Sequence, residues 1–113
     1  MYTFIEDPGH GWLKVPREEL KQLDIEDKIT SYSYMDSEYA YLEEDIDADV
    51  FVRAKYPNDY VARRRFYKKC EIEHYEPDAP CRKLKNFKQS KAEKEYNDNE
   101  SKKPRIERQS ICG

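Results

Sequence analysis

The chain has 113 residues, of which 40% are charged and 37% hydrophobic, with a mean hydropathy of −1.17. That length suits one small domain, and the lack of any apolar run near the ~20 residues of a spanning helix excludes a helical membrane protein. The net charge of −3 conceals a polarity: residues 1–60 hold six basic against fifteen acidic residues, a net of −9, and residues 61–113 hold fifteen against nine, a net of +6.

Residues 2–6 read as a short strand, with Thr3 and Phe4 favouring extended backbone. Asp7, Pro8, Gly9, His10 and Gly11 supply turn chemistry, and Trp12, Leu13, Lys14 and Val15 form the returning strand. Pro16 suits a first helical position, and residues 17–23 follow as a short helix with Leu20 and Leu23 inward. Residues 28–42 read as a second hairpin about Asp36 and Ser37. Pairing Met35 with Glu38 sets Tyr34 opposite Tyr39 and Tyr32 opposite Tyr41, so all four tyrosines share one face. Core packing against the helices is the expected use of that face, with an interface as the alternative. A second helix is expected from about Asp45 or Asp47 to Lys55, with Ile46, Val50, Phe51 and Ala54 as its apolar stripe and Pro57 as its stop. Residues 66–76 read as a further strand. Residues 81–88 form a weak basic helix or stay irregular, and residues 89–113 read as a disordered, charged tail. The expected fold is α+β: one domain over residues 1–88, with a small antiparallel sheet of two hairpins plus a later strand and two short helices on one face.

Three segments carry a resemblance: Gly9, His10, Gly11, Trp12 and Leu13 within residues 2–16; Ser31, Tyr32, Ser33 and Tyr34 within residues 27–34; and Tyr41, Leu42, Glu43, Glu44 and Asp45 within residues 41–48. Together they resemble a family of small proteins carried by bacteriophages, plasmids and their bacterial hosts. The resemblance covers about the first half of the chain; beyond His74 the chain departs from the pattern. It implies a mobile-element accessory protein, a class that often acts by binding and inhibiting a host component. It implies no cofactor and no catalytic residue.

The chemistry-bearing groups divide into three sets. No basic residue stands between Lys28 and Arg53, where seven acids and four tyrosines lie. Such a block fits a surface that meets a basic partner, with Coulomb attraction steering the encounter. Glu43, Glu44, Asp45 and Asp47 with Tyr39 are its candidate contacts, and Trp12 is a candidate anchor. Asp45, Asp47 and Asp49 lack the Gly and Glu of a calcium loop and read instead as helix-start carboxylates. The second set is Arg63, Arg64, Arg65, Lys68 and Lys69, interleaved with Phe66 and Tyr67, a pattern of nucleic-acid contact. The acidic block is also placed to neutralise this strip inside one molecule or across a homodimer. The third is His10, set between glycines where a turn histidine can move a proton or hold a metal. His10, Cys70, His74 and Cys81 have no paired C-x-x-C spacing to nucleate a zinc site, and no nucleophile or phosphate-loop motif accompanies them.

The N-terminus lacks the basic and apolar regions of a signal peptide. Cys70, Cys81 and Cys112 are an odd, sparse set that fits reduced thiols. The expectation is a non-enzymatic cytoplasmic protein, host-cytoplasmic if phage-encoded. It would bind a basic host protein, including one that handles nucleic acid, and use no cofactor or metal. Nucleic-acid binding and a His10-centred metal protein or enzyme are the alternatives.

Overall fold

The computed structural model describes residues 1–88, so the expected tail and Cys112 lie outside the described residues. Strands β1 (Thr3–Glu6) and β2 (Gly11–Pro16) form the first hairpin, closed by a bond from the Asp7 N–H to the His10 carbonyl at 2.9 Å. Pro16 ends β2 and leads directly into α1 (Arg17–Gln22), which buries Leu20. The helix ends in a Schellman turn: the Ile25 N–H reaches the Leu20 carbonyl and the Asp24 N–H the Lys21 carbonyl, both at 3.0 Å. Asp24 takes the left-handed position, with φ 58°.

The second hairpin is β3 (Tyr34–Met35) and β4 (Tyr39–Glu43). Tyr34 pairs with Tyr41 and Met35 with Ala40, so the turn sits at Ser37 and Glu38, one residue later than expected. The physical reason is Asp36: its carboxylate accepts from the N–H groups of Glu38 and Tyr39 at 2.9 and 2.7 Å, making it the residue before the turn. The register moves by two, an even number, so Tyr34, Tyr39 and Tyr41 keep a common face. Tyr32 falls outside the ribbon, in a turn, and is 70% exposed.

Helix α2 (Asp47–Lys55) follows, burying Asp47, Ala48, Phe51 and Val52. The expected stripe is thus rotated: Phe51 is inside, but Ile46 is 50% exposed. Helix α3 (Tyr60–Arg65) occupies residues that had no expected element, and Asp59 caps it by accepting from the Ala62 N–H at 2.9 Å. A 3-10 turn, Phe66–Lys69, replaces the first part of the expected late strand, leaving β5 (Glu71–His74). Another 3-10 turn, Pro80–Lys83, precedes β6 (Lys85–Asn86).

The sheet order is β5-β1-β2-β4-β3-β6. The fold is α+β, but the sheet is mixed: β5 runs parallel to β1 because two helices carry the chain back across the sheet. Leu13, Val15, Ala40 and Leu42 face the helices and form the main core with Leu20, Phe51, Val52 and Phe66. The helices therefore cover the Ala40 and Leu42 face, and the tyrosine face looks the other way. There Ile5, Trp12 and Tyr41 form a second cluster, closed by Ala79 and Cys81 from the strap that carries the 3-10 turn Pro80–Lys83. Among the described residues no helix is long and apolar enough to cross a membrane.

Candidate functional site

One carboxylate organises the strap side of the sheet. Asp7 follows β1 directly, its side chain is buried, and it accepts five hydrogen bonds. Three come from the backbone N–H groups of Gly9, His10 and Ala79, at 2.9, 3.0 and 2.8 Å. Two come from Arg82, through Nε at 2.6 Å and Nη2 at 2.9 Å. The Arg82 guanidinium, then the backbone donors, hold the Asp7 carboxyl well below the usual carboxylate range. So fixed, Arg82 lies over the Trp12 ring, 4.9 Å from its centroid. Gly9 permits this approach, since a Cβ there would stand 2.9 Å from Arg82 Nη2.

Beside this clamp lies an open cleft of about 440 Å³. His10 and Trp12 line one side, their ring centroids 6.1 Å apart. Tyr34, 6.1 Å from Trp12, and Tyr32 add two more rings. Glu43, Asp45 and Ile46, from the connection between β4 and α2, complete the lining together with Arg82.

That connection is built by local hydrogen bonds. The Glu43 carboxylate accepts from the N–H groups of Asp45 at 2.8 Å and Ile46 at 3.0 Å. The sequence pointed to aspartates as the helix-start acceptors; Glu43 takes the part instead, before the helix begins. Glu44 is folded back over Gly11, where an added Cβ would stand 2.7 Å from Glu44 Oε1 and 2.5 Å from Phe4. Desolvation first, and the negative charge of Asp45 second, raise the Glu44 carboxyl above its ordinary value. Acidic charge is concentrated here and only partly offset by Arg82, whose charge is already engaged by Asp7.

Asp47 stands apart and corrects the sequence reading. It is fully buried, so it presents no charge to a partner. Its Oδ2 accepts from the Thr30 N–H at 3.0 Å, the Thr30 hydroxyl at 2.7 Å and the Ser33 hydroxyl at 2.6 Å. Ser33 Oγ in turn accepts from the Glu43 N–H at 2.9 Å. Asp47 thus ties α2 to the turn that carries Tyr32 and to the end of β4: a positioning residue beneath the cleft.

The structure brings Trp12, Glu43 and Asp45 together with His10, and sets Glu44 at the edge. Tyr39 lies elsewhere on the same sheet face, under Lys14 Nζ at 4.3 Å, and does not line the cleft. Of the basic strip, Arg63 is committed to the carbonyls of Tyr56 and Pro57 at 2.8 and 2.9 Å. Arg64 stacks 5.8 Å from the Tyr60 ring, and Arg65, Lys68 and Lys69 are exposed. Among the described residues, no ion pair joins this strip to the acids of residues 36–49, so the two charge blocks do not neutralise each other within the fold.

Cys70 packs against the main core and Cys81 sits in the second cluster on the opposite sheet face, while His74 is held between Glu6 and Glu76. Among the described residues no three His, Cys, Asp or Glu side chains gather as a metal-ligand set.

Asp7, Arg82 and Ile46 are the site residues that sequence reasoning missed, while Tyr32 and Tyr34 entered it only through the interface alternative for the tyrosine face. Asp7 carried a usable signal, because Asp two positions before Gly in a turn accepts backbone N–H bonds. Arg82 carried none, since its partner lies 75 positions away. Comparison of the chain with family models, curated proteins and solved structures finds no match.

Proposed function

We propose that this chain is a non-enzymatic binding protein that captures a basic segment of a protein partner in the cleft beside Trp12. One observation carries the reading: Glu43 and Asp45 share a single cleft with Trp12, Tyr32, Tyr34 and exposed Ile46. Aromatic rings attract cations through their faces, and Lys or Arg stems bury methylenes against them. The carboxylates add charge-assisted bonds to the ammonium or guanidinium. The resemblance to phage- and plasmid-borne proteins supports a host protein as the partner, with inhibition as the outcome and the host cytoplasm as the place.

The exposed basic strip favours a second reading, nucleic-acid binding. Arg64, Arg65, Lys68 and Lys69 lie near Tyr60 and Tyr67, which are 65% and 37% exposed, and this combination grips a phosphate backbone and stacks on bases. It predicts an affinity that falls steeply with salt.

Capture from host lysate, with and without nuclease, separates the two readings. The paired substitution Glu44→Lys and Asp45→Lys is expected to abolish capture of a protein that survives nuclease. Undiminished capture by that variant sinks the cleft reading. Capture lost with nuclease and with Arg64→Gln, Arg65→Gln and Lys68→Gln establishes the second.

A further inference from the structure

The chain contains its own basic segment, and the last described residues before it run beside the cleft. Strand β6 runs antiparallel to β3, with Asn86 opposite Tyr34. Beyond it the Phe87 N–H bonds the Ser33 carbonyl at 2.7 Å, and the Asn86 side-chain amide donates to the Ser31 carbonyl at 2.8 Å. The last described residue, Lys88, therefore lies alongside residues 31–34, the stretch that supplies Tyr32 and Tyr34 to the cleft. Residues 102–108 follow, with Lys102, Lys103, Arg105 and Arg108 against the single acid Glu107. The connection from residue 88 to residue 102 is 14 residues. At about 3.3 Å per residue it spans at most about 46 Å, well beyond what a cleft at the exit point requires.

We propose that, in the free chain, the cleft is occupied by residues 102–108 of the same molecule. This rests on the reading of the cleft as a receptor for basic segments. The chemistry is complementary: four cations meet Glu43, Asp45 and neighbouring Glu44 among aromatic rings. Tethering does the rest, because a short connection holds the segment at an effective concentration of about 1 mM. A site with a dissociation constant of about 100 μM would be mostly filled at that concentration. A partner then has to displace the segment, which sets a threshold on how basic and how well fitted it must be.

Trp12 is the only tryptophan and lines the cleft, so its emission reports occupancy. The test compares the full chain with the full chain carrying Lys102→Gln, Lys103→Gln, Arg105→Gln and Arg108→Gln. Each is titrated with a synthetic peptide of residues 100–110. The neutralised chain is expected to bind the peptide about tenfold more tightly than the unaltered chain, the factor expected when a ~1 mM tethered competitor is removed from a ~100 μM site. Asp45→Lys in the neutralised chain is expected to remove most of that binding. Equal affinity of the two chains overturns the proposal while leaving the cleft a receptor. If neither chain binds this peptide or an unrelated arginine-rich one, the proposed function falls with it. A Trp12 signal in the unaltered chain that grows with protein concentration contradicts occupancy within one molecule and assigns the segment to a second copy.

Discussion

Asp47 and Glu43 are four residues apart and bear the same functional group, yet one is buried beneath the cleft and the other lines it. The difference lies in what each carboxylate accepts. Asp47 satisfies a backbone N–H and two hydroxyls, so removing it strands three donors. Asp47→Ala is expected to lower unfolding free energy by about 2–4 kcal/mol, the range for breaking a buried polar network, as read by denaturant titration. Asp45→Ala, at an exposed position, is expected to stay within about 0.5 kcal/mol of the parent. Equal, small effects at both positions would mean that Asp47 is not the anchor described. His74 offers a second test at this scale. The Glu76 carboxylate, then that of Glu6, raises its pKa above the ordinary 6.5, with contacts of 2.9 and 2.8 Å. A raised value in the folded state means stabilisation that is fully present below the unfolded pKa and lost as pH rises through the folded one. The melting temperature of the parent is therefore expected to exceed that of His74→Asn below about pH 6, where imidazole is charged in both states. The gap should close at alkaline pH. A gap independent of pH would show that the ring acts through packing alone.

Among the elements, the parts legible in the sequence are those whose signals are local. The first hairpin, α1, α2 and the shared face of Tyr34, Tyr39 and Tyr41 follow from turn residues and periodicity. The turn at Ser37 and Glu38 was misplaced by one residue because Asp36 reads equally well inside a turn or as the acceptor that precedes it. Helix α3 was missed even though Asp59 stands at its start as a capping residue; its six residues lack an apolar stripe to confirm it. The parallel pairing of β5 with β1 depends on where two helices deliver the chain, which no local pattern encodes. Nor does any pattern foretell that the strap, through Ala79 and Cys81, would cover the aromatic face and free the helices for the other. The end of α1 gives the test at this scale. Asp24 is in the left-handed conformation that glycine adopts without steric cost. Asp24→Gly is expected to stabilise the fold by about 0.5–1 kcal/mol, measured by thermal or denaturant unfolding. Destabilisation would show that the Asp24 side chain contributes more than its backbone costs.

At the scale of the molecule, the acidic block and the basic strip of the described residues stay apart after folding. The ion pairs of the described residues are Arg53 with Asp49, Lys55 with Glu19, Arg82 with Asp7 and Asp78, and His74 with its two glutamates. None links the acids of residues 36–49 to the basic strip, and Glu44, Asp45 and Asp49 of the one and Arg64, Arg65, Lys68 and Lys69 of the other are exposed. The sheet is covered on both faces, by helices on one and the strap on the other. Among the described residues, what remains open beside the strap is the cleft that joins aromatic rings to acids without an ion-pair partner there. Titration of the full chain with an arginine-rich peptide, followed by Trp12 emission, tests that assignment most directly. The account predicts a saturable change that weakens as salt is raised, is absent with a neutral peptide of equal length, and is lost in the chain carrying Glu44→Lys and Asp45→Lys. An unchanged Trp12 signal, or an equal response from the charge-reversed chain, would contradict it.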